Sequence, residues 1–220
     1  SLYNFHGWNN QYTQNTYRFN RNTIQNCDGG YYFYGIRNEY PSSACTVAQI
    51  NGNTIKNNTN SYFYHYSIRS NWTYNSALYP VEINDNIIEG NTNTYYYHYS
   101  IYAYYYGNYN IERNIIRNNR NTSSSLCYYH YSIYNYYNYN TRINSNLIVD
   151  NSAYYYTYPI YNYSFISGNY TTEVRQNTVR CNGSLSNNWS PYIYAIYQYQ
   201  YYHTNIKVIG NIFDIQNYSG

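Results

Sequence analysis

The sequence predicts an all-β fold in which one chain winds through stacked coils of short strands. Three observations predict it. Two short phrases recur about every 32 residues along nearly the whole 220-residue chain, the mark of a repeat architecture. The recurring residues are Tyr, Ile, Asn and Thr, while the helix formers Ala, Leu, Lys and Glu are scarce. Within the aromatic phrase, as in "YFYHYSI" ending at Ile68, residue type alternates with period two, as along a strand.

Composition narrows the alternatives. Tyr accounts for 42 of 220 residues and Asn for 40, and only 10% are charged, against about 25% in an average domain. Such bias alone suits a disordered, aggregation-prone segment. A disordered chain, however, has no reason to hold its Ile and Asn on a fixed grid. Net charge is +3 with no basic run, so nothing is expected to neutralise phosphates and nucleic acid is not an expected partner. No apolar run is long enough to span a membrane, no signal peptide is visible, and a start at Ser1 fits a mature or trimmed product. Cys27, Cys45, Cys127 and Cys181 lack CxxC spacing, which argues against zinc or c-type haem. Their even number admits two disulfides in an oxidising compartment, Cys27–Cys45 and Cys127–Cys181, or four free thiols. No cofactor is implied.

The chain reads as a single domain over 1–220. An irregular lead is expected over residues 1–18, followed by coils from 19 to 217. The corner phrase is "INGNTIKNN" at 50–58, "INDNIIEGN" at 83–91, "IERNIIRNN" at 111–119, "INSNLIVDN" at 143–151 and "VRQNTVRCN" at 174–182. Degenerate copies begin at Phe19 and Val208. The central Asn falls at 22, 53, 86, 114, 146, 177 and 211. The aromatic phrase keeps the same period: its Ile stands at 36, 68, 101, 133, 160 and 196, with Tyr two and four residues earlier. A small residue or Pro precedes each Ile: Gly35, Ser67, Ser100, Ser132, Pro159 and Ala195.

These corners, of the form IxxNxIxxN, together with Tyr34-Gly35-Ile36, resemble the PbH1-type repeat of the pectin-lyase-like superfamily. The likeness covers roughly residues 19 to 217. It implies a single-stranded right-handed parallel β-helix of about seven coils, in which equivalent residues lie about 4.8 Å apart. On that fold Ile55, Ile88, Ile116, Ile148 and Val179 point inward. Asn53, Asn86, Asn114, Asn146 and Asn177 resemble the family's asparagine ladder, each amide satisfied by the coils above and below. Lys56, Glu89 and Arg117 form an outward column with Glu89 between two cations.

For the aromatic strands, period-two alternation places the Tyr two and four residues before each Ile on the core face. Phe63, Tyr96 and Tyr128, the His65, His98 and His130 column, and the small residues then face outward. So do Tyr102, Tyr134, Tyr161 and Tyr197, and Tyr104, Tyr136, Tyr163 and Tyr199. A bend at the small residue would reverse the faces. These outward columns are the candidate binding or assembly surface.

The resemblance also brings an enzymatic expectation, since enzymes of that fold act through carboxylates, Arg, or Ca²⁺ held by Asp clusters. The nine acids here are spread over the coils, and Asp28, Asp85, Asp150 and Asp214 occupy different columns, so no paired-carboxylate or Ca²⁺ site follows. The in-line histidines suit stacking better than a tetrahedral metal, and no acid completes a triad with Ser67, Ser100 or Ser132. Three readings remain. The first is an extracellular or cell-surface structural subunit, a fibre, sheath or coat that partners itself. The others are a polysaccharide-binding or adhesin module and a polysaccharide lyase or hydrolase. A catalytic site needs one asymmetric cluster, whereas a periodic surface suits a periodic partner, so the first is preferred.

Overall fold

A computed structural model of the chain describes residues 4–12, 16–39, 45–60, 62–71, 79–122, 129–182, 192–202 and 205–216. It is an all-β parallel solenoid of about six turns, slightly fewer than the coils counted in the sequence. Strands of successive turns pair in parallel into three long sheets and one short one. The aromatic sheet contains Asn4–Gln11, Tyr32–Glu39, Tyr64–Asn71, Tyr97–Tyr104, Tyr129–Tyr136 and Tyr156–Ser164, and ends on Tyr192–Ile193 and Ile196–Gln200. The second sheet runs from Thr16–Arg18 to Asn205–Ile209, and the third from Thr23–Gln25 to Ile212–Gln216.

The register is the one the repeats demand. Ile88 pairs with Ile55 on one side and Ile116 on the other, and Ile101 with Ile68 and Ile133. The Ile columns fill the interior: Ile55, Ile88, Ile116, Ile148 and Val179 are fully buried, each contributing about 1.5–3 kcal/mol by burial. Strand pairing begins ahead of Phe19, in the part of the chain expected to be irregular. Phe5 pairs with Phe33 and Trp8 with Ile36, so two apolar side chains take core positions without the aromatic phrase that marks the later coils.

Corners are built by a repeated pair of conformations. The residue before each ladder Asn has positive φ: Arg21, Gly52, Asp85, Arg113, Ser145, Gln176 and Gly210. That left-handed residue turns the chain and carries the next amide inward. The Asn114 Nδ2 donates to Ile83 O at 2.7 Å and to Asn146 Oδ1 at 3.0 Å. Its Oδ1 accepts from the backbone N and the Nδ2 of Asn86, both at 3.0 Å. The same pattern runs from Asn22 to Asn211. A second ladder, of the closing Asn in each corner phrase, links Asn58, Asn91, Asn119 and Asn151. It too follows positive-φ residues, Asn57, Gly90, Asn118 and Asp150. On the surface Arg117 pairs with Glu89 at 2.6 Å, and Lys56 lies in register on the other side.

Two expectations are overturned. First, the aromatic strands face the other way: His65, His98 and His130 are fully buried, and the Tyr two and four residues before the Ile point outward. Alternation breaks at the small residue. Ser100 and Ile101 are both fully buried, and a Cβ at Gly35 would lie 3.3 Å from Ile55 Cγ2 and 2.5 Å from Ser67 O. The position therefore points inward against the next coil, which is why it is small. Facing out, the phenols pack on one another over the sheet, whereas inside the coil each hydroxyl would need a buried partner in the apolar core. Second, Cys27 and Cys45 are free thiols, as is Cys181. Cys27 Sγ donates to Gln25 O and Cys45 Sγ to Val47 O, each at 3.2 Å, so each sits in its own backbone corner. Cys127 and Tyr128 lie outside the described residues.

Asn114→Ala is expected to cost about 2–4 kcal/mol in urea unfolding, because it strands buried donors and acceptors on two neighbouring coils. Asn211→Ala, at the less buried end of the ladder, should cost less. Ser145→Gly is expected to raise stability by up to about 1 kcal/mol in the same assay, since Gly adopts its φ of 55° without a Cβ clash.

Candidate functional site

The outward face of the aromatic sheet is a lattice of phenols. From Tyr97 onward all the outward side chains of the strands are tyrosines: Tyr97, Tyr99, Tyr102 and Tyr104 on one strand, Tyr129, Tyr131, Tyr134 and Tyr136 on the next. Tyr156, Tyr158, Tyr161 and Tyr163 follow, then Tyr192, Tyr194, Tyr197 and Tyr199. Parallel register sets each ring over its counterpart. Tyr66, Tyr99, Tyr131 and Tyr158 stack at 5.0 Å between centroids, within 9° of parallel. Tyr102, Tyr134, Tyr161 and Tyr197 stack at 5.1, 4.9 and 4.7 Å. The two columns meet edge to face, as in Tyr99–Tyr102 at 4.9 Å and Tyr131–Tyr134 at 4.9 Å. Pairs of this kind contribute about 0.5–1.5 kcal/mol beyond burial.

Face-to-face stacking leaves mainly ring edges and hydroxyls to meet a partner. Burial pushes the phenols of Tyr66, Tyr99, Tyr102, Tyr131 and Tyr134 well above their ordinary range, and that of Tyr161 up to about 12. All stay neutral under ordinary conditions.

The lattice has a charged boundary. In the two preceding coils the third and fourth outward positions are Arg37 and Glu39, then Arg69 and Asn71. Glu39, almost wholly buried, pairs with Arg37 at 2.6 Å and Arg69 at 3.1 Å. The Arg69 guanidinium lies 5.2 Å from the Tyr66 ring centre and 5.8 Å from that of Tyr102, a cation–π cap on the columns. In the first coil the outward positions are Asn4, His6, Asn9 and Gln11. The face thus grades from polar, through a partly neutralised charge cluster, to uniform tyrosine.

Of the residues expected to form the surface, Tyr102, Tyr134, Tyr161 and Tyr197 and Tyr104, Tyr136, Tyr163 and Tyr199 lie on this lattice. Phe63 and Tyr96 are half-buried at its flank, stacked at 5.4 Å. The histidines do not belong to it. Arg37, Glu39 and Arg69 were missed, because nothing in the sequence marks them as the start of a face.

A second feature is a groove of about 350 Å³ over the second sheet, lined by Asn110, Arg142, Glu173 and Lys207 among others. Glu173 there is held by Arg142 at 3.6 Å, Arg175 at 3.1 Å and Lys207 at 3.2 Å, and these cations hold its carboxyl below its ordinary value despite an opposing burial effect. Elsewhere Asp85 is paired with Arg113 and Asp150 with Arg180. Among the described residues no three His, Cys, Asp or Glu are grouped to hold a metal.

The chain matches no known protein family, no curated protein and no solved structure.

The buried histidines form a stack of their own. Phe33, His65, His98 and His130 follow one another at 4.3, 4.4 and 4.7 Å. His65 Nε2 meets Ser67 Oγ at 3.3 Å, and His98 Nδ1 meets Arg120 O at 3.3 Å. The other nitrogen of each of these rings has no hydrogen-bond partner among the described residues. Burial holds His98 down at about 4, and holds His65 and His130 well below the ordinary value with neighbouring imidazoles adding to it.

These shifts set a pH dependence. The unfolded chain takes up protons below about pH 6.5 that the folded rings refuse. The stabilisation is complete above about pH 6.5 and is lost as pH falls toward 4. Each ring contributes a slope of about 1.4 kcal/mol per pH unit in that window. Urea titrations between pH 7 and 5 should show His98→Phe, which places in the column the ring type already present at Phe33, losing one ring's share of the slope. An unchanged slope would contradict the assignment.

Proposed function

We propose that the protein is an extracellular structural subunit of a fibre, sheath or coat, and that copies associate through the tyrosine face. One observation carries this reading: four tyrosines on each of four successive coils form an uncharged lattice with a repeat equal to the strand spacing. A periodic surface of this kind suits a partner with the same period, and a second copy has it. Nothing on that part of the face repels a like face, since the nearest charges, Arg37, Glu39 and Arg69, neutralise one another in part. A continuous outward aromatic face, half-buried by its own stacking, also suits an interface. Under the same reading the solenoid is a member of the pectin-lyase-like superfamily, and its IxxNxIxxN corners are that family's repeats.

A polysaccharide-binding role is the second reading, and the groove beside Asn110, Arg142, Glu173 and Lys207 favours it. The tyrosine face suits it less well. Sugar rings stack on exposed aromatic faces, and here most faces are covered by the next ring in the column. A lyase or hydrolase has the weakest support, because the groove's acid is engaged by three cations.

Negative-stain microscopy and sedimentation across a concentration series test the first reading. The protein is expected to form ordered multimers. Tyr104→Lys/Tyr136→Lys/Tyr163→Lys should dissociate them while leaving the far-ultraviolet dichroism close to wild type, with a lower melting temperature from the lost ring stacking and the adjacent cations. A monomer at every concentration, or a triple variant that assembles normally, would exclude the tyrosine face as the interface. Retention on an immobilised glycan by a monomer, lost on Arg142→Ala, would favour the second reading.

A further inference from the structure

We propose that the tyrosine lattice conducts oxidising equivalents: one electron removed from any of its rings leaves the unpaired spin at the exposed rim formed by Tyr192, Tyr194 and Tyr199. The inference goes beyond the assembly role and does not need it, since a single copy contains the whole path.

Contact comes first. A phenol is among the few side chains that give up an electron to a moderate oxidant, and electron exchange between aromatic rings needs only close approach. The columns supply it without a gap. Tyr32, Tyr64, Tyr97, Tyr129, Tyr156 and Tyr192 stack in sequence at 5.7, 5.4, 5.2, 5.1 and 5.1 Å. A second path runs from Tyr34 through Tyr158 to Tyr194, its last step 5.2 Å. Edge-to-face contacts such as Tyr131–Tyr161 at 5.3 Å join the columns laterally, so a single broken step does not isolate a ring.

Direction comes from the proton. An oxidised phenol is strongly acidic and settles as a neutral phenoxyl once its proton reaches water. In the middle of the lattice Tyr66, Tyr99, Tyr131 and Tyr158 are each only 8% exposed, and burial opposes loss of their protons. At the rim Tyr192, Tyr194 and Tyr199 are 57%, 41% and 39% exposed. Tyr199 joins the lattice through Tyr163 at 4.8 Å.

The balance is simple. A one-electron oxidant, here photogenerated tris-bipyridyl ruthenium(III), takes one electron and becomes ruthenium(II), and the phenol proton goes to water. In each later step an electron passes from an intact ring to the oxidised one. Along the half-buried columns that end at Tyr192 and Tyr199, a proton leaves the first hydroxyl and one returns to the second through surface water, with no net change. At the rim a nitroso spin trap adds to the ring-centred radical and yields a nitroxide, consuming no further electron.

The test uses the full chain at low concentration, less than one oxidising equivalent per molecule, and mass-spectrometric mapping of trap adducts. Adducts are expected at Tyr192, Tyr194 and Tyr199 several-fold above Tyr12, although Tyr12 is 70% exposed. Replacing one strand's row, Tyr129→Phe/Tyr131→Phe/Tyr134→Phe/Tyr136→Phe, keeps the ring stack but removes the phenols. The rim share should then fall at least two-fold, with adducts rising on Tyr97 to Tyr104. Tyr192→Phe/Tyr194→Phe/Tyr199→Phe should move the adducts to Tyr156 to Tyr163. Adducts that follow solvent exposure in all three proteins would overturn the proposal, whether or not the protein assembles.

Discussion

Parallel, in-register stacking of one coil on the next is the constraint on which the rest of this molecule depends. Equivalent residues lie about 4.8 Å apart along the axis, so any residue type kept at one repeat position becomes a continuous physical column. The asparagines show why register is held so tightly. Each ladder amide donates to one neighbouring coil and accepts from the other, and a slip of one residue would bury its donors and acceptors unpaired. The two ladders stand on either side of the Ile column of the third sheet, and left-handed residues feed both. Corner conformation, polar satisfaction and apolar burial are therefore consequences of the same phrase.

The aromatic sheet uses the same constraint for a different end. One small inward residue per strand interrupts alternation and turns the tyrosines out and the histidines in. Outside, a column of phenols packs ring on ring and keeps its hydroxyls out of the apolar core. Inside, imidazoles stack as neutral rings under an apolar ceiling formed by Phe33. The interior accepts them only uncharged, which links this packing choice to the acid sensitivity of the fold.

The surface that results is graded along the axis. Polar residues give way to the Arg37–Glu39–Arg69 cluster and then to an unbroken field of tyrosine. Stacking distances of 4.7 to 5.7 Å hold along the outward tyrosine columns of this sheet. Because the rings face one another, the lattice presents edges and hydroxyls outward while remaining electronically continuous within. Association with a like surface and transport of an unpaired electron are the two uses proposed for it, and they draw on different parts of the same rings.

The period, the strand character, the inward Ile columns and the first asparagine ladder were all legible in the residues, because a column of identical side chains leaves its interval in the sequence. The second ladder was visible as the closing Asn of each corner phrase, though its partners were not. The tyrosine columns after each Ile were placed correctly, and those before it were not. Period-two reasoning carries a face assignment through a strand only while alternation holds, and the break at Gly35, Ser67 and Ser100 is made by contact with the adjacent coil, not by the strand itself. The thiols tell the same story, since their pairing depends on which corners meet in space. By itself the sequence determined which residues stack upon one another, as that needs only their spacing. Which side of the sheet each column faces was decided by tertiary packing alone, because local side-chain sterics are the same on both sides and only the neighbouring coil distinguishes them.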